Sequence, residues 1–107
     1  MEQQNRHEPA PLADWPRKDR SSIRYVFADI DDTMTTDGKL DSASYAALWA
    51  LADSGLDVIP VTGRPAGWCD AIARQWPVAG VIGENGALAF WEDGGRIERI
   101  FHSDAKE

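Results

Sequence analysis

Hydrophobic and polar positions follow two different periods along the chain after residue 22. Three short runs rich in β-branched residues have the length of buried strands: "IRYVFADI" from Ile23, "DVIPVT" from Asp57 and "VAGVIG" from Val78. The two segments between them place apolar residues at helical spacing instead. The pattern therefore predicts the order strand, helix, strand, helix, strand.

Capping residues set the limits of the two predicted helices. The first helix begins at Asp41 or Ser42 and continues to about Ser54, where Gly55 stops it. Its core-facing stripe consists of Tyr45, Leu48, Trp49 and Ala52. The second helix begins at Pro65 and ends before Pro77, with a stripe of Cys69, Ile72, Ala73 and Trp76.

The segment after the third strand predicts a β-hairpin, because "ALAFW" and "RIERIF" flank the turn sequence "EDGG". Strands that alternate with helices form parallel sheets with right-handed crossovers. We therefore expect an α/β fold, a Rossmann-like three-layer core with a parallel sheet and a C-terminal β-hairpin. The first strand is apolar on both faces from Tyr25 to Ala28, which predicts cover on both sides. Pro60 is awkward for a central strand.

Residues 1–22 differ in composition from the rest, with three prolines and charges that cancel. Such a segment buries too little apolar surface to offset the entropy of ordering, so we expect a disordered tail followed by one domain over residues 23–107.

The overall charge and cysteine content exclude several classes of partner. A net charge of −7 argues against nucleic-acid and anionic-membrane binding, since both need a basic face. No apolar run approaches the ~20 residues of a membrane span. The single cysteine, Cys69, excludes an internal disulfide framework and favours a reducing compartment, for which we expect the cytoplasm.

Polar residues that could take part in catalysis or ligand binding follow each predicted strand. Asp29 and Asp31 follow the first, Thr62 to Arg64 the second, and Glu84 to Gly86 the third. The carboxyl ends of parallel strands meet at one edge of the sheet, where ligands of open α/β sheets bind. These residues therefore predict one shared site.

The motifs "DIDDT", "VTGRP" and "IGENGA", in this order, resemble the haloacid dehalogenase (HAD) superfamily of phosphatases over Ile23 to Phe101. The pattern is similar to the capped branch that includes many sugar-phosphate phosphatases. The resemblance implies that Asp29 attacks phosphorus and forms an aspartyl-phosphate, and that Asp31 is the general acid and base. A carboxylate is repelled by a phosphate dianion unless a divalent cation intervenes, so Mg²⁺ at Asp29 and Asp31 is implied.

The resemblance also implies the phosphate-binding residues. Thr62 corresponds to the hydroxyl that bonds a phosphoryl oxygen, assisted by the Gly63 amide. Asn85 corresponds to a position on the leaving-group side. Arg64 has two open interpretations, substrate binding or pairing with an acidic neighbour.

Two residues of the first loop complete the comparison. Asp32 stands where the family often has glycine, which makes the turn less permissive of positive φ. Thr33 resembles the family's hydroxyl that braces this loop by bonding backbone.

Two family features are not found in the sequence, namely the third-motif Lys or Arg and the fourth-motif acid that follow the cap. We therefore expect the N-terminal portion of a larger phosphatase, with the strand "YVFAD" as an open apolar edge. An edge of this kind favours self-association or a complementing chain.

The favoured function is hydrolysis of a small phosphorylated metabolite, such as a sugar phosphate. One alternative is a non-catalytic interaction module that keeps the fold without the complete site. A phosphoacceptor receiver domain is the other, and it lacks support because no later strand ends in an acceptor Asp.

Overall fold

The central feature of the computed structural model, which describes residues 8–102, is a five-stranded mixed sheet. Its strands are β1 Tyr25–Asp29, β4 Asp57–Val61, β5 Val81–Gly83, β6 Leu88–Asp93 and β7 Arg96–Phe101, whereas β2 (Thr35–Thr36) and β3 (Lys39–Leu40) form a separate sheet. The strand order is β1-β4-β5-β6-β7; β1, β4 and β5 are parallel, and β6 and β7 form an antiparallel hairpin beside them. The predicted α/β fold with a parallel sheet and a C-terminal hairpin is confirmed.

A second, two-stranded sheet lies in the loop after β1, where the sequence predicted only irregular structure. It consists of β2 (Thr35–Thr36) and β3 (Lys39–Leu40). Asp37 and Gly38 form the turn with φ of 53° and 78°. Asp-Gly is the dipeptide that two-residue hairpin turns favour, because both positions need positive φ. The signal was present, but the strands are too short to show a period of two.

Two of the helices pack side by side on one face of the sheet. Helix α2 (Ser42–Asp53) begins at the predicted N-cap Asp41, whose side chain accepts a hydrogen bond from the Ser44 amide at 2.8 Å. Helix α3 (Ala66–Gln75) follows Pro65. The Tyr45 hydroxyl of α2 donates to the Gln75 carbonyl at the end of α3. Both helices therefore belong to the same layer.

The core lies between α3 and the sheet. Its buried members come from the loop after β1, from α3 and from the strands β5 and β6: Ile30, Cys69, Ile72, Ala73, Val81, Leu88 and Phe90. The predicted stripe of α3 is thus confirmed for Cys69, Ile72 and Ala73. On α2 only Leu48 is buried, whereas Trp49 is 47% exposed, so the core position predicted for Trp49 is wrong.

Pro60 lies inside β4, opposite Ala28 of β1, and is fully buried. The Asp57 amide donates to the Arg24 carbonyl, so the backbone groups of the odd-numbered β4 residues point toward β1. Those of the even-numbered residues, Pro60 included, point toward β5. The missing N–H therefore weakens the β4–β5 ladder, which has one registered pair, Val61 with Ile82. Pro60 is therefore accommodated in a central strand because the missing hydrogen bond falls on the short β4–β5 side and not on the β1–β4 side.

The opposite face of the sheet carries no helix from residues 8–102. Tyr25 and Phe27 on β1 are 59% and 61% exposed, and Ile100 on β7 is 61% exposed on the same face. The expectation that β1 is covered on both sides is wrong for this part of the chain. Both crossovers advance the sheet in the same direction, and right-handed crossovers then place both helices on one side. The described residues supply two of the three predicted layers.

The segment before β1 has its own short elements. A 3-10 turn at Leu12–Asp14 and the single-turn helix α1 (Arg17–Arg20) contain no buried residue. Residues 1–7 of the predicted tail lie outside the described residues, so the disordered tail and the domain limits stay predictions. No helix within residues 8–102 combines the length and the apolarity that a membrane crossing requires.

Candidate active site

The first acidic residue of the candidate site, Asp29, is the last residue of β1 and is exposed. The chain then passes through Ile30, which is completely buried and fixes the strand end in the core. The Thr33 hydroxyl donates to Oδ2 of Asp29 at 3.0 Å. Thr33 therefore orients a carboxylate, and the expectation that its hydroxyl bonds backbone is wrong.

Asp31 connects the end of β1 to the end of β4. Its Oδ2 accepts a hydrogen bond from the Thr62 hydroxyl at 3.1 Å. Its Oδ1 accepts from Nε and Nη2 of Arg64, at 3.1 and 2.8 Å. The Arg64 hydrogen bonds hold the pKa of Asp31 below its ordinary value, with Thr62 acting in the same direction and partial desolvation opposing both.

Thr62 is 2% exposed and has a fixed hydroxyl. While that hydroxyl donates to Asp31, it accepts the Arg64 amide at 3.0 Å. The Thr62 amide donates to Ile82 of β5 at 2.8 Å. The Thr62 hydroxyl is therefore held where β1 and β4 end.

Arg64 is anchored on two sides. Its side chain is 16% exposed, and its guanidinium carbon lies 4.6 Å from the ring centroid of Trp68, in the first turn of α3. Stacking on an aromatic ring suits the planar guanidinium. Of the two interpretations of Arg64, the geometry has it paired with an acidic neighbour, Asp31. Trp68 itself is 55% exposed.

The third strand end reaches the same place through backbone contacts. The Asn85 amide donates to the Thr62 carbonyl at 3.1 Å, and the Glu84 amide donates to the Arg64 carbonyl at 3.0 Å. Asn85 has φ of 57°, a conformation that Asn tolerates better than most residues. A Cβ on Gly63 would lie 3.0 Å from Oδ1 of Asn85, so Gly63 permits this close approach.

The loop after β1 depends on a residue that the sequence did not indicate, Thr35. Its buried hydroxyl donates to the Ile30 carbonyl at 3.2 Å and accepts the Asp32 amide at 3.1 Å. Thr35 therefore has the backbone-bracing role expected of Thr33. Asp32 adopts φ of 62°, the left-handed conformation that glycine would allow at this position. The alternation of Thr33 and Thr35 is the signal that could have suggested both roles.

The oxygen donors at the end of β1 suit a hard divalent cation. Asp29 uses one oxygen for Thr33, which leaves its Oδ1 without a partner among residues 8–102. Asp31 has both oxygens engaged by Thr62 and Arg64. Within that range no group of three or more acidic, His or Cys side chains is placed to hold a metal. Mg²⁺ is commonly held by one or two carboxylates with water and substrate phosphate, and Oδ1 of Asp29 is the oxygen of this kind that has no partner among residues 8–102.

Fold and site together define an α/β domain whose polar side chains gather beyond the carboxyl ends of parallel strands, where such domains bind ligands. A family model of haloacid dehalogenase-like hydrolases matches residues 26–105. The chain belongs to this family. A search among curated proteins finds no match.

Solved structures agree with this assignment. A HAD-superfamily phosphatase from Bacteroides thetaiotaomicron is 31% identical, with a TM-score of 0.59 over 78% of this chain and 31% of its own. A subclass IIB sugar phosphatase is 28% identical, with a TM-score of 0.54 over 70% and 30%. A Thermoplasma acidophilum protein, at 24% identity and a TM-score of 0.62 over 71% and 34%, shares the fold. The chain thus spans about a third of the length of these structures.

Proposed function

We propose that this chain carries the nucleophile-bearing part of a Mg²⁺-dependent phosphomonoester hydrolase. The observation that supports the proposal most strongly is the contact of Asp31 with Thr62 and Arg64, which unites the ends of β1 and β4. The substrate is a small phosphorylated metabolite. A sugar phosphate is favoured, because one of the similar structures is a sugar phosphatase.

The proposed reaction uses Asp29 and Asp31 in two steps. The Asp29 carboxylate attacks phosphorus, an O–P bond to Asp29 forms, and the bond from phosphorus to the leaving oxygen breaks. Asp31 must first be protonated, which requires release of the Arg64 hydrogen bonds that keep its pKa low; it then donates that proton to the leaving oxygen, so the alcohol leaves neutral. Asp31 then takes a proton from water, which attacks the aspartyl-phosphate and releases inorganic phosphate with Asp29 regenerated.

The remaining predicted residues bind the phosphoryl group. The Thr62 hydroxyl and the Gly63 amide are assigned to phosphoryl oxygens, and Asn85 to the leaving-group side. Arg64 is assigned to the phosphoryl group as well. Because its guanidinium donates to Asp31 in this structure, a bound phosphate would have to take over those hydrogen bonds. Charge-assisted hydrogen bonds from Arg to phosphate are strong enough to replace those to a carboxylate.

Asp29 and Asp31 are the residues assigned to hold Mg²⁺. When bound, the cation would offset the charge of the phosphate and of the two carboxylates. The net charge of −7 keeps nucleic acid and anionic membranes outside this proposal. Cytoplasm stays the expected location.

A second candidate is a non-catalytic module with the same fold. It is favoured by the absence, within residues 8–102, of a cluster of three metal-ligating side chains.

Hydrolysis of p-nitrophenyl phosphate by the chain, with and without Mg²⁺, separates the two candidates. We expect Mg²⁺-dependent turnover that falls at least about 10³-fold in Asp29→Asn, because the nucleophile is lost. Asp53→Asn is the matched control, since Asp53 is an exposed residue at the end of α2. Turnover that is absent, or equal in all three proteins, would support the module.

A further inference from the structure

The backbone of Arg64 is fixed by hydrogen bonds on both sides. Its amide donates to the Thr62 hydroxyl at 3.0 Å. Its carbonyl accepts the Glu84 amide at 3.0 Å and the Cys69 thiol at 3.7 Å. The following residue, Pro65, disfavours a helical backbone at Arg64. The freedom that remains to Arg64 therefore lies in its side chain.

The Arg64 side chain makes two contacts of different kinds. Nε and Nη2, on the edge of the guanidinium, donate to Oδ1 of Asp31. The face of the guanidinium lies over the ring of Trp68, with 4.6 Å from its carbon to the ring centroid. All N–H donors of arginine lie in the plane of the guanidinium. A stacked guanidinium therefore keeps its donors available for another acceptor.

The two contacts differ in how substrate binding affects them. In the proposed function, a bound phosphate takes over the hydrogen bonds that Arg64 donates to Asp31. The stack on Trp68 uses the other surface of the guanidinium and does not compete with phosphate. Ordering a long side chain costs conformational entropy when a ligand binds. A guanidinium that is already held on a ring loses less of this entropy.

We propose that Trp68 is a positioning residue of the candidate site. Its ring holds the Arg64 guanidinium near the ends of β1 and β4 while that group exchanges Asp31 for a phosphoryl oxygen of the substrate. Trp68 thus acts through Arg64 and does not itself touch the phosphoryl group. This role rests on the proposed function. The contacts that support it lie between the loops after β1 and β4 and the first turn of α3.

Three variants of exposed tryptophans separate this role from a structural one. Trp68→Leu removes the ring but suits a helix, since leucine has a higher helix propensity than tryptophan. Trp68→Phe keeps an aromatic face for the guanidinium. Trp49→Leu is the matched control, because Trp49 is 47% exposed on α2. Trp49 lines a cavity with Pro77 and Ala79, which precede β5, at the end of the sheet opposite the site.

Titration of the 107-residue chain with inorganic phosphate in the presence of Mg²⁺, followed by NMR, tests the role. We expect Trp68→Leu to bind phosphate about fivefold more weakly than the unchanged protein. Trp68→Phe should retain most of the affinity, and Trp49→Leu all of it. Circular dichroism checks that each variant is folded.

A double variant shows whether Trp68 acts through Arg64. Arg64→Gln should weaken phosphate binding about 10- to 100-fold, because a charge-assisted hydrogen bond is lost. Adding Trp68→Leu to Arg64→Gln should then cause no further loss, whereas a general structural effect of Trp68 would add to it.

The Arg64 Nε–H resonance, assigned by its absence in Arg64→Gln, follows the guanidinium directly. We expect the ring current of Trp68 to shift this resonance upfield both before and after phosphate binds, and the shift to disappear in Trp68→Leu. Equal phosphate affinity in the unchanged protein and Trp68→Leu, or additive losses in the double variant, would overturn the positioning role alone. So would an Nε–H resonance that loses its upfield shift when phosphate binds. An unchanged protein that binds no phosphate would overturn the proposed function and this role together.

Discussion

Arg64 donates two hydrogen bonds, from Nε at 3.1 Å and Nη2 at 2.8 Å, to a single oxygen of Asp31. The other oxygen of Asp31 accepts the Thr62 hydroxyl at 3.1 Å. A side chain held on both oxygens has one orientation. The contact therefore fixes the residue proposed as general acid and base relative to the end of β4.

Replacing Arg64 by Lys should reduce turnover while the protein remains folded. Lysine keeps the charge but cannot make both hydrogen bonds or stack on Trp68 in the same way. If Arg64 positions Asp31, kcat for p-nitrophenyl phosphate should fall about 10²-fold. The control is Arg74→Lys, because Arg74 also pairs with an Asp, at i−4 on the surface of α3. Equal kinetics in both variants would contradict the positioning role.

The Asp31 interaction also predicts a dependence of stability on pH. The pKa of Asp31 is lowered in the folded protein from its ordinary value of 3.8. The ionised side chain therefore stabilises the fold above pH 3.8, and this contribution disappears as pH falls through the lowered pKa. Melting temperatures of the wild type and Asp31→Asn should differ most near neutral pH and converge in acid. A difference in melting temperature that grows on acidification would contradict a lowered pKa of Asp31.

Close packing at Gly83 predicts a large effect of one methyl group. A Cβ at this position would overlap Cys69 Sγ and lie 2.9 Å from Leu88 Cδ1. Gly83→Ala should destabilise the fold by about 1–3 kcal/mol, measured by urea unfolding. Adding Cys69→Ala should restore part of the loss. Gly67→Ala is the control, because the new methyl meets nothing within 4 Å. The higher helix propensity of alanine should raise the free energy of unfolding of this variant by about 0.5–1 kcal/mol.

The backbone at Asp32 predicts which substitutions the first loop accepts. Its φ of 62° is readily adopted by Gly but disfavoured for β-branched residues. Asp32→Gly should leave the free energy of unfolding equal or higher, whereas Asp32→Val should lower it by about 1–2 kcal/mol. Equal destabilisation by both substitutions would show that the Asp32 side chain, not its backbone, stabilises the loop.

The order of elements and the meeting of strand ends could be predicted from the sequence. Runs such as "DVIPVT" and the capping residue Asp41 act locally, and the parallel arrangement follows from the alternation of strands and helices. The convergence of Asp31, Thr62 and Asn85 then follows from topology alone. Which atoms bond could not be predicted, because Arg64 had two possible partners.

Other features depend on context that local pattern does not contain. Tyr25 and Phe27 have the composition of a buried strand, yet the face they occupy is open in residues 8–102. Trp49 lies on the predicted helical stripe of α2, yet it is 47% exposed, and Leu48 is the buried residue of that helix. The β2–β3 hairpin is too short to produce a periodic signal.

In the proposed reaction Asp29 accepts a phosphoryl group, and Asp31 then activates the water that removes it. Intact-mass spectrometry after incubation with Mg²⁺ and acetyl phosphate tests both roles at once. We predict that Asp31→Asn accumulates one phosphoryl group, which borohydride reduction followed by peptide mapping localises to Asp29. Asp29→Asn should accumulate none. A phosphoryl group that forms in Asp29→Asn, or none in any form of the protein, would contradict the account.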